Sequence, residues 1–260
     1  MKYFYYLKLG FKLNIKYSRW FLLEISSVCL RFFLIYYFWK YIYENKVINR
    51  IDFNLNVIYA LSVVILEKMV VNLSDSIAKN IKKGTIVIDL IKPYNIFLKY
   101  IFLDIGKKFS EITKYFTIYV VLLNILDIKI EISKDLFLVK FLIFILGIIL
   151  SMQLEIIVGI LAFWTVNIWG LKFLSGLLML FASGALIPVN FYPIFLKKIS
   201  FILPFELVMY SPVAVIIGII KSKFEIKLIV FRQFFWIFLL LVIIILLWKK
   251  MKKRIVIFGG

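Results

Sequence analysis

Residues 161–218 read LAFWTVNIWGLKFLSGLLMLFASGALIPVNFYPIFLKKISFILPFELVMYSPVAVIIG, and this stretch decides the fold. Its apolar run 169–187 approaches the roughly 20 residues that a helix needs to cross a bilayer. The run stops at Pro188, and prolines at 193, 204 and 212 interrupt the apolar segment that follows. Because irregular backbone at membrane depth must be buried in protein or line a cavity, we expect two short helices, 193–203 and 205–220, folded back near the outer surface.

The composition of the whole chain is that of an integral membrane protein. Hydrophobic residues make up 64% of the 260 residues, and the mean hydropathy is +1.01, whereas soluble domains are about 45–50% apolar. The net charge of +19 comes mostly from residues between the apolar runs. Topology and anionic lipid headgroups therefore explain this charge, and no nucleic-acid-binding motif accompanies it. The sequence predicts an all-α membrane protein that binds lipid bilayer and no nucleic acid.

The same composition argues against catalysis by this chain. Cys29 is the only cysteine and histidine is absent, which removes the commonest general base and the commonest zinc ligand. The phosphate-binding pattern Gly-x-x-x-x-Gly-Lys-Ser/Thr does not occur, since Lys83-Gly84-Thr85 and Gly106-Lys107-Lys108 lack its frame. We therefore expect no cofactor and no metal site in this chain. If ATP drives its function, another polypeptide binds the ATP.

Hydropathy and charge predict one domain over residues 1–260 with six spans. A basic amphipathic helix, 2–19, comes first and is expected to lie in the membrane interface; a plain positive-inside anchor is the alternative. The third span is short, so its helix is expected to begin earlier, near Asn95. The basic start and the basic tail 249–254 predict that both termini are cytosolic. The predicted spans are 20–43, 55–73, 112–126, 136–163, 169–187 and 228–248.

Between the second and third spans lies a charged region that the same rule places in the cytosol. Residues 75–84 are predicted to form a short helix capped by Ser74 or Asp75 and ended by Gly84. A brief apolar segment follows and stops at Pro93. By itself this pattern is more typical of a solvated loop that contains one capped helix.

Several short motifs in the opening stretch resemble one family in their order and spacing. They are Ala162-Phe163-Trp164, Trp169-Gly170, Ser183-Gly184-Ala185-Leu186-Ile187-Pro188, Tyr192-Pro193, Leu203-Pro204-Phe205 and Ser211-Pro212. The chain resembles the membrane (permease) subunits of type-2 ABC exporters. The resemblance implies a permease in the bacterial plasma membrane that forms a homodimer or a heterodimer with a second permease. It also implies that separate cytosolic ATPase subunits bind ATP and Mg.

The resemblance also implies roles for particular residues. Residues 75–93 would be the coupling region that docks on the ATPase, with Asp75, Lys79, Lys82, Lys83, Ile88, Asp89, Lys92 and Pro93 as its candidate residues. This interpretation is preferred here to the solvated loop. The small residues Ser183 and Gly184 of the fifth span are candidates for the substrate path.

Two charges inside predicted spans, Arg31 and Glu155, complete the candidate substrate path. An arginine at the centre of a membrane helix costs about 2.5–3.5 kcal/mol, so a polar cavity, an acidic partner or an anionic part of the substrate is expected near Arg31. Glu24 lies about two turns away, too far for a close pair. The alternatives are that Arg31 snorkels to the interface and that Glu155 lies among headgroups or pairs with a neighbouring helix.

A second functional class stays open, namely an ATP-independent secondary transporter or an integral-membrane enzyme. Secondary transporters often carry inverted repeats with interrupted helices in both halves. Here the interruptions lie only in the C-terminal half, which favours the exporter. The sequence does not identify the transported substrate.

Overall fold

The computed structural model describes residues 2–16, 21–45, 53–70, 72–125, 135–165 and 169–252. These residues form α-helices and short 3-10 turns with no β-strand, so the predicted all-α fold is confirmed. The helices are α1 (Lys2–Lys16), α2 (Phe21–Glu44), α3 (Phe53–Met69), α4 (Leu73–Lys82), α5 (Ile86–Ile91), α6 (Ile96–Ile125), α7 (Phe137–Thr165), α8 (Trp169–Ala182), α9 (Ile194–Ile202), α10 (Tyr210–Ile216) and α11 (Lys223–Lys252).

Three stretches of the described chain are long and apolar enough to cross a membrane. They are Phe53–Lys82, which contains α3 and α4, Phe137–Thr165 and Lys223–Met251. A fourth arises if Ile194–Ile202 and Phe205–Ile216, bent by 74° at their junction, count as one broken span. α2 and α6 carry more polar side chains, and α8 is shorter. The six-span arrangement therefore stays a prediction.

α7 and α11 run side by side in the same direction through the molecule. The side-chain amide of Gln233 donates to the carbonyl of Ile143 at 2.9 Å, and that of Gln153 donates to the carbonyl of Ile237 at 3.0 Å. Further along, the rings of Phe163 and Trp248 lie 6.2 Å apart. Buried side-chain hydrogen bonds to a neighbouring backbone are favourable where water is excluded. This pair of helices supports the rest of the fold.

The helix α8 ends at Ala182, so the predicted end of the fifth span at 187 is wrong. Gly184 has φ +81°, a left-handed conformation that ends helices and that only glycine adopts without strain. The carbonyl of Gly184 accepts a hydrogen bond from the hydroxyl of Tyr59 at 2.7 Å, which fixes this turn to α3. The chain therefore leaves the helix before Pro188 is reached.

The segment after α8 is more broken than the two predicted helices. α9 matches the first, but the second is divided into a 3-10 turn, Phe205–Leu207, and α10. A further 3-10 turn, Val189–Phe191, precedes α9. The hydroxyl of Tyr210 donates to the side-chain oxygen of Asn190, and the backbone amide of Tyr210 donates to the carbonyl of Ser183 at 3.0 Å. The second contact pairs two backbone groups that lie outside the regular hydrogen bonding of a helix, and the first links the two parts of the segment through side chains.

α1 packs along the first half of α6, parallel to it, through two glycines. A Cβ atom added at Gly10 would overlap the carbonyl oxygen of Leu103, and one added at Gly106 would overlap that of Leu7. Stacked rings of Tyr3 and Phe102, 5.6 Å apart, extend the contact. α6 begins at Ile96, next to the expected start near Asn95. Residues 17–19 of the predicted interfacial helix lie outside the described residues, as do residues 46–52, 126–134 and 253–260.

Candidate transport cavity and coupling segment

A cavity of about 410 Å³ lies where the end of α3, the middle of α7 and the length of α8 meet. Its volume falls in the range of roughly 300–1,000 Å³ that is usual for small-molecule sites. Apolar side chains such as Leu154, Met179 and Phe205 form most of its wall. The polar side chains on the wall are Glu67, Asn72, Ser151, Glu155, Lys172, Ser175 and Ser183.

Arg31 forms a bidentate ion pair with Glu67 of α3. Its Nη1 lies 2.5 Å from Oε2 and its Nη2 lies 3.0 Å from Oε1, the fork geometry that makes arginine–carboxylate pairs strong. The Arg31 side chain is 39% exposed and that of Glu67 is 23% exposed. The acidic partner expected for Arg31 is therefore present, and this partner was not identified from the sequence.

The partner could have been found by counting from the facing ends of the two helices. Arg31 lies 13 residues before the last residue of α2, Glu44, and Glu67 lies 14 residues after the first residue of α3, Phe53. When two helices pack antiparallel, with a rise of about 1.5 Å per residue, such residues lie at nearly the same height. Glu67 lies within the predicted second span, 55–73, and was not singled out there as a partner for Arg31.

Glu155 pairs with the start of α4 and not with Arg31. Its Oε2 accepts a hydrogen bond from the backbone amide of Ser74 at 3.1 Å and another from the Ser74 hydroxyl at 2.5 Å. The predicted capping role of Ser74 or Asp75 is therefore wrong. α4 begins at Leu73, and its N-cap residue, Asn72, makes no side-chain capping bond. The end of the helix is as predicted, because Gly84 has φ +70°.

Residues 67–75 make polar contacts with four different helices. Glu67 contacts α2 and Ser74 contacts α7, as described above. In addition, the backbone amide of Asn72 donates to Asp104 of α6 at 3.1 Å. Lys172 of α8 forms an ion pair with Asp75. The α3–α4 junction is thus tied by polar groups to each of the helices around it.

α4 is amphipathic, and its apolar face is packed against the membrane helices. Ile77 lies against Gly159 of α7, where an added Cβ would come within 2.7 Å of the Ile77 side chain. Lys79, Lys82 and Lys83 lie on the opposite, exposed side. The buried cluster beneath α4 contains Leu73, Ile77, Ala78, Ile81, Ile86, Ile96, Tyr100, Ile156, Ile160, Ala162 and Met251.

α5 exposes apolar side chains, while its acidic residue points inward. Ile88 is 56% exposed and Ile91 is 79% exposed; Lys92 and Pro93 beyond them are exposed as well. Asp89, in contrast, is buried and binds the ammonium of Lys99 at 2.6 Å.

The environment of Asp89 favours its charged form. Burial raises the pKa of this carboxyl, but hydrogen bonds from Lys99 and from the hydroxyls of Tyr94 and Tyr100 outweigh burial, and the pKa lies below its ordinary value. Asp89 therefore anchors α5 to the start of α6. Of the candidate coupling residues, Asp89 is the buried one, whereas Asp75 is exposed and pairs with Lys172 of α8.

Ser183 and Gly184 lie at the end of α8. Ser183 is fully buried at the wall of the cavity, and its hydroxyl donates to the carbonyl of Met179 in its own helix. Gly184 forms the left-handed turn described above. Arg31 touches the cavity only through Glu67, whereas Glu155 and Ser183 form part of its wall.

The family model described as ABC-2 family transporter protein matches residues 13–259. The chain belongs to this family. The resemblance drawn from the sequence is thereby confirmed, and with it a membrane location and a permease role in transport. No curated protein matches the chain. Proteins of the ABC-2 family generally work with ABC ATPase partners.

This ABC-2 transporter chain contains a further intramembrane charge that the sequence analysis missed. Arg232 of α11 lies 2.6 Å from Glu206, and the two side chains are 11% and 7% exposed. Arg232 also donates to the carbonyl of Phe201 and covers the Phe201 ring at 3.7 Å, a cation–π contact. An arginine inside the predicted sixth span was a sufficient signal for this site.

The described part of this ABC-2 transporter contains no group of three or more histidine, cysteine, aspartate or glutamate side chains placed to hold a metal ion. Four of the six ion pairs found there join different helical elements. The cavity therefore has charged side chains at its margin, and polar groups of the α3–α4 junction contact those side chains.

Proposed function

We propose that this chain is the permease subunit of an ATP-driven ABC exporter and that it forms the substrate path as a dimer. Separate cytosolic ABC ATPase subunits bind ATP and Mg and drive the transport cycle. Family membership and the lack of a phosphate-binding loop in the 260 residues both support this division of labour. The location is the bacterial plasma membrane, with both termini in the cytosol.

The observation that carries the proposal is the two-sided surface of α4 and α5. One side is packed against α7 and the end of α11, so the segment moves with the membrane helices. The other side exposes Ile88 and Ile91 beside a row of lysines. A contiguous exposed apolar patch rimmed by polar residues marks a protein interaction site, and we take Ile88 and Ile91 as the centre of such a patch. This surface is the docking site for the ATPase.

The contacts at the α3–α4 junction supply a physical link from this docking site to the cavity. Ser74 and Asp75 lie at the start of α4, and their partners Glu155 and Lys172 both line the cavity. A displacement of α4 therefore changes the position of polar groups on the cavity wall. Such a link is what alternating access requires when ATP is hydrolysed on another subunit.

Dimer formation is supported by α8, whose residues are mostly apolar and yet none of them is buried. The exposed side chains of Phe173, Leu174 and Phe181 offer an apolar surface for packing against another helix. A second permease subunit, of the same or another kind, would pack against α8 and complete the path.

Charge reversal at the docking surface tests the proposal. Lys82→Glu with Lys83→Glu, and separately Ile88→Glu with Ile91→Glu, should reduce co-purification with the co-expressed ABC ATPase of the same genomic neighbourhood. The physical reason is that these side chains are exposed and make no contribution to the core beneath α4. Membrane insertion and yield should stay at the wild-type level.

The matched control is Lys197→Glu with Lys198→Glu, an adjacent and exposed lysine pair on α9 at the proposed outer side. This control should co-purify as wild type does. Full ATPase recovery with both coupling variants, or equal loss with the control, would contradict the assignment of α4 and α5 as the docking surface.

The six-span topology is tested by reporter fusions. Fusions after Arg254 and within residues 79–92 should report the cytosol, and a fusion near Glu131 should report the outside. A cytosolic signal at Glu131 is incompatible with six spans.

A further inference from the structure

The charges on the cavity wall do not balance. Glu67 is neutralised by Arg31 in a bidentate pair, and Lys172 is neutralised by the carboxylate of Asp75. Among the described residues, Glu155 accepts hydrogen bonds only from the neutral groups of Ser74, and the charges of Lys172 and Asp75 act on it in opposite directions. Counted with these pairs, the wall carries one excess negative charge when Glu155 is ionised.

The two oxygens of Glu155 have different surroundings. Both hydrogen bonds from Ser74 reach Oε2. Oε1 receives no hydrogen bond or ion pair from any residue in the described ranges, and it is not among their fully buried unpaired atoms. This oxygen is therefore accessible from the cavity and is available to a ligand. A carboxylate in a low-dielectric surround attracts a cation more strongly than it does in water.

The remaining wall favours an organic molecule over a hydrated inorganic ion. Leu154, Ile157 and Met179 are apolar, and the described residues provide no second free carboxylate to complete a metal site. A cavity of about 410 Å³ holds a molecule of several rings or a branched apolar body. A ligand that matches this wall carries one positive charge on a large apolar group.

We propose that this cavity binds an amphipathic organic monocation, with the positive charge against Oε1 of Glu155 and the apolar body against α7 and α8. This inference names the substrate class for the path proposed above. Cation binding itself does not depend on the proposed function; only the statement that the bound cation is transported rests on it. Because the same carboxylate holds Ser74 at the start of α4, a bound cation alters the contact between the cavity and the docking segment.

Binding is tested on the full chain, purified in detergent without any ATPase. The probe is tetraphenylphosphonium, an amphipathic monocation, and its partner is tetraphenylborate, which has nearly the same shape and the opposite charge. Isothermal titration calorimetry should show saturable binding of tetraphenylphosphonium and at least about tenfold weaker binding of tetraphenylborate, as expected when one charge decides the affinity.

Glu155→Gln removes the charge and should weaken tetraphenylphosphonium binding about tenfold. The control, Glu225→Gln, makes the same change in the exposed first turn of α11, away from the cavity wall, and should bind as wild type does. Glu155→Asp keeps the charge and should retain most of the affinity. If Glu155→Gln fails to fold, the second pair of variants decides the question.

That second pair fills space without changing charge. A Cβ at either Gly176 or Gly170 of α8 meets no atom within 4 Å, so both positions tolerate a larger side chain. Only Gly176 lines the cavity. Gly176→Phe should therefore abolish tetraphenylphosphonium binding, and Gly170→Phe should leave it unchanged.

Equal binding of the two probes, or wild-type affinity in Gly176→Phe, would overturn the proposal. Saturable binding that Glu155→Gln does not weaken would overturn it as well. These outcomes are independent of the ATPase, so a failure here leaves the docking assignment intact. Loss of ATPase recovery, conversely, does not change cation binding.

Discussion

Two regions of this protein each hold an arginine–glutamate pair, and the pairs differ in their surroundings. The cavity pair, Arg31–Glu67, is 39% and 23% exposed and lies at the margin of the cavity. The buried pair, Arg232–Glu206, is 11% and 7% exposed and joins α11 to the broken segment after α9. The same kind of ion pair therefore has a different role in each region. The buried pair fixes irregular backbone in place, whereas the cavity pair leaves a charged margin that ions and ligands reach.

The largest effect is expected from breaking the buried pair. Arg232→Leu leaves the carboxylate of Glu206 buried without its partner and should lower the free energy of unfolding by about 3–5 kcal/mol. The contact with the Phe201 ring is lost at the same time. Thermal unfolding in detergent measures the difference. The double variant Arg232→Leu with Glu206→Leu should recover much of the loss, because no unpaired charge then remains. A double variant less stable than the single would show that burial of the charge is not the cause.

A smaller effect is expected where the broken segment is held by a neutral hydrogen bond. Tyr59 is 1% exposed and its hydroxyl donates to the carbonyl of Gly184. Tyr59→Phe leaves that carbonyl without this donor and should cost about 1–3 kcal/mol. Tyr119→Phe is the control, since the half-buried Tyr119 hydroxyl contacts, among the described residues, only the hydroxyl of Ser62 at 3.0 Å. Equal losses in the two variants would mean that the turn at Gly184 is held by other contacts.

The smallest change in stability is expected at the cavity pair. Arg31→Leu should cost about 0.2–1 kcal/mol, as for exposed ion pairs, and membrane insertion should be intact or improved. Substrate-stimulated ATPase activity of the assembled complex should nevertheless fall, because Glu67 then adds a second free charge to the cavity wall. Wild-type stimulation and transport would instead show that Arg31 has no role in the path. High salt should reduce the stability difference of Arg31→Leu, and that of Arg232→Leu should persist.

The apolar helices were predictable because they depend on local composition. α7 matches the predicted span 136–163 to within two residues, and α11 contains the predicted span 228–248 and extends beyond it by five residues at its start and four at its end, since a long apolar run has few alternatives in lipid. The end of α8 was not predicted, because a glycine in the left-handed conformation is decided by the Tyr59 hydroxyl of another helix. The sequence pattern contains Ser183-Gly184 and Pro188 and does not say which of them ends the helix.

Residues of the candidate site could be predicted from the sequence, but the side-chain pairs that they form could not. Arg31 and Glu155 were identified from their depth, but their partners, Glu67 and Ser74, depend on which helices pack together. Ser74 matched the pattern of a helix cap, and the tertiary contact with Glu155 took precedence over that local preference. Two further residues could have been identified from the sequence. Glu67 lies about as far from the start of α3 as Arg31 lies from the end of α2, and Arg232 is a charged residue within an apolar span.

The interlocking of Gly10 with Gly106 has a consequence for biogenesis. The two glycines are 96 residues apart in the chain, and at roughly 5–20 residues per second the ribosome makes the second about 5–20 s after the first. During that interval α1 has no α6 to pack against, and its exposed face of Phe4, Tyr5 and Lys8 is suited to the surface of the bilayer. We therefore expect the nascent chain to keep its first helix at the membrane until α6 has been synthesised and covers Gly10.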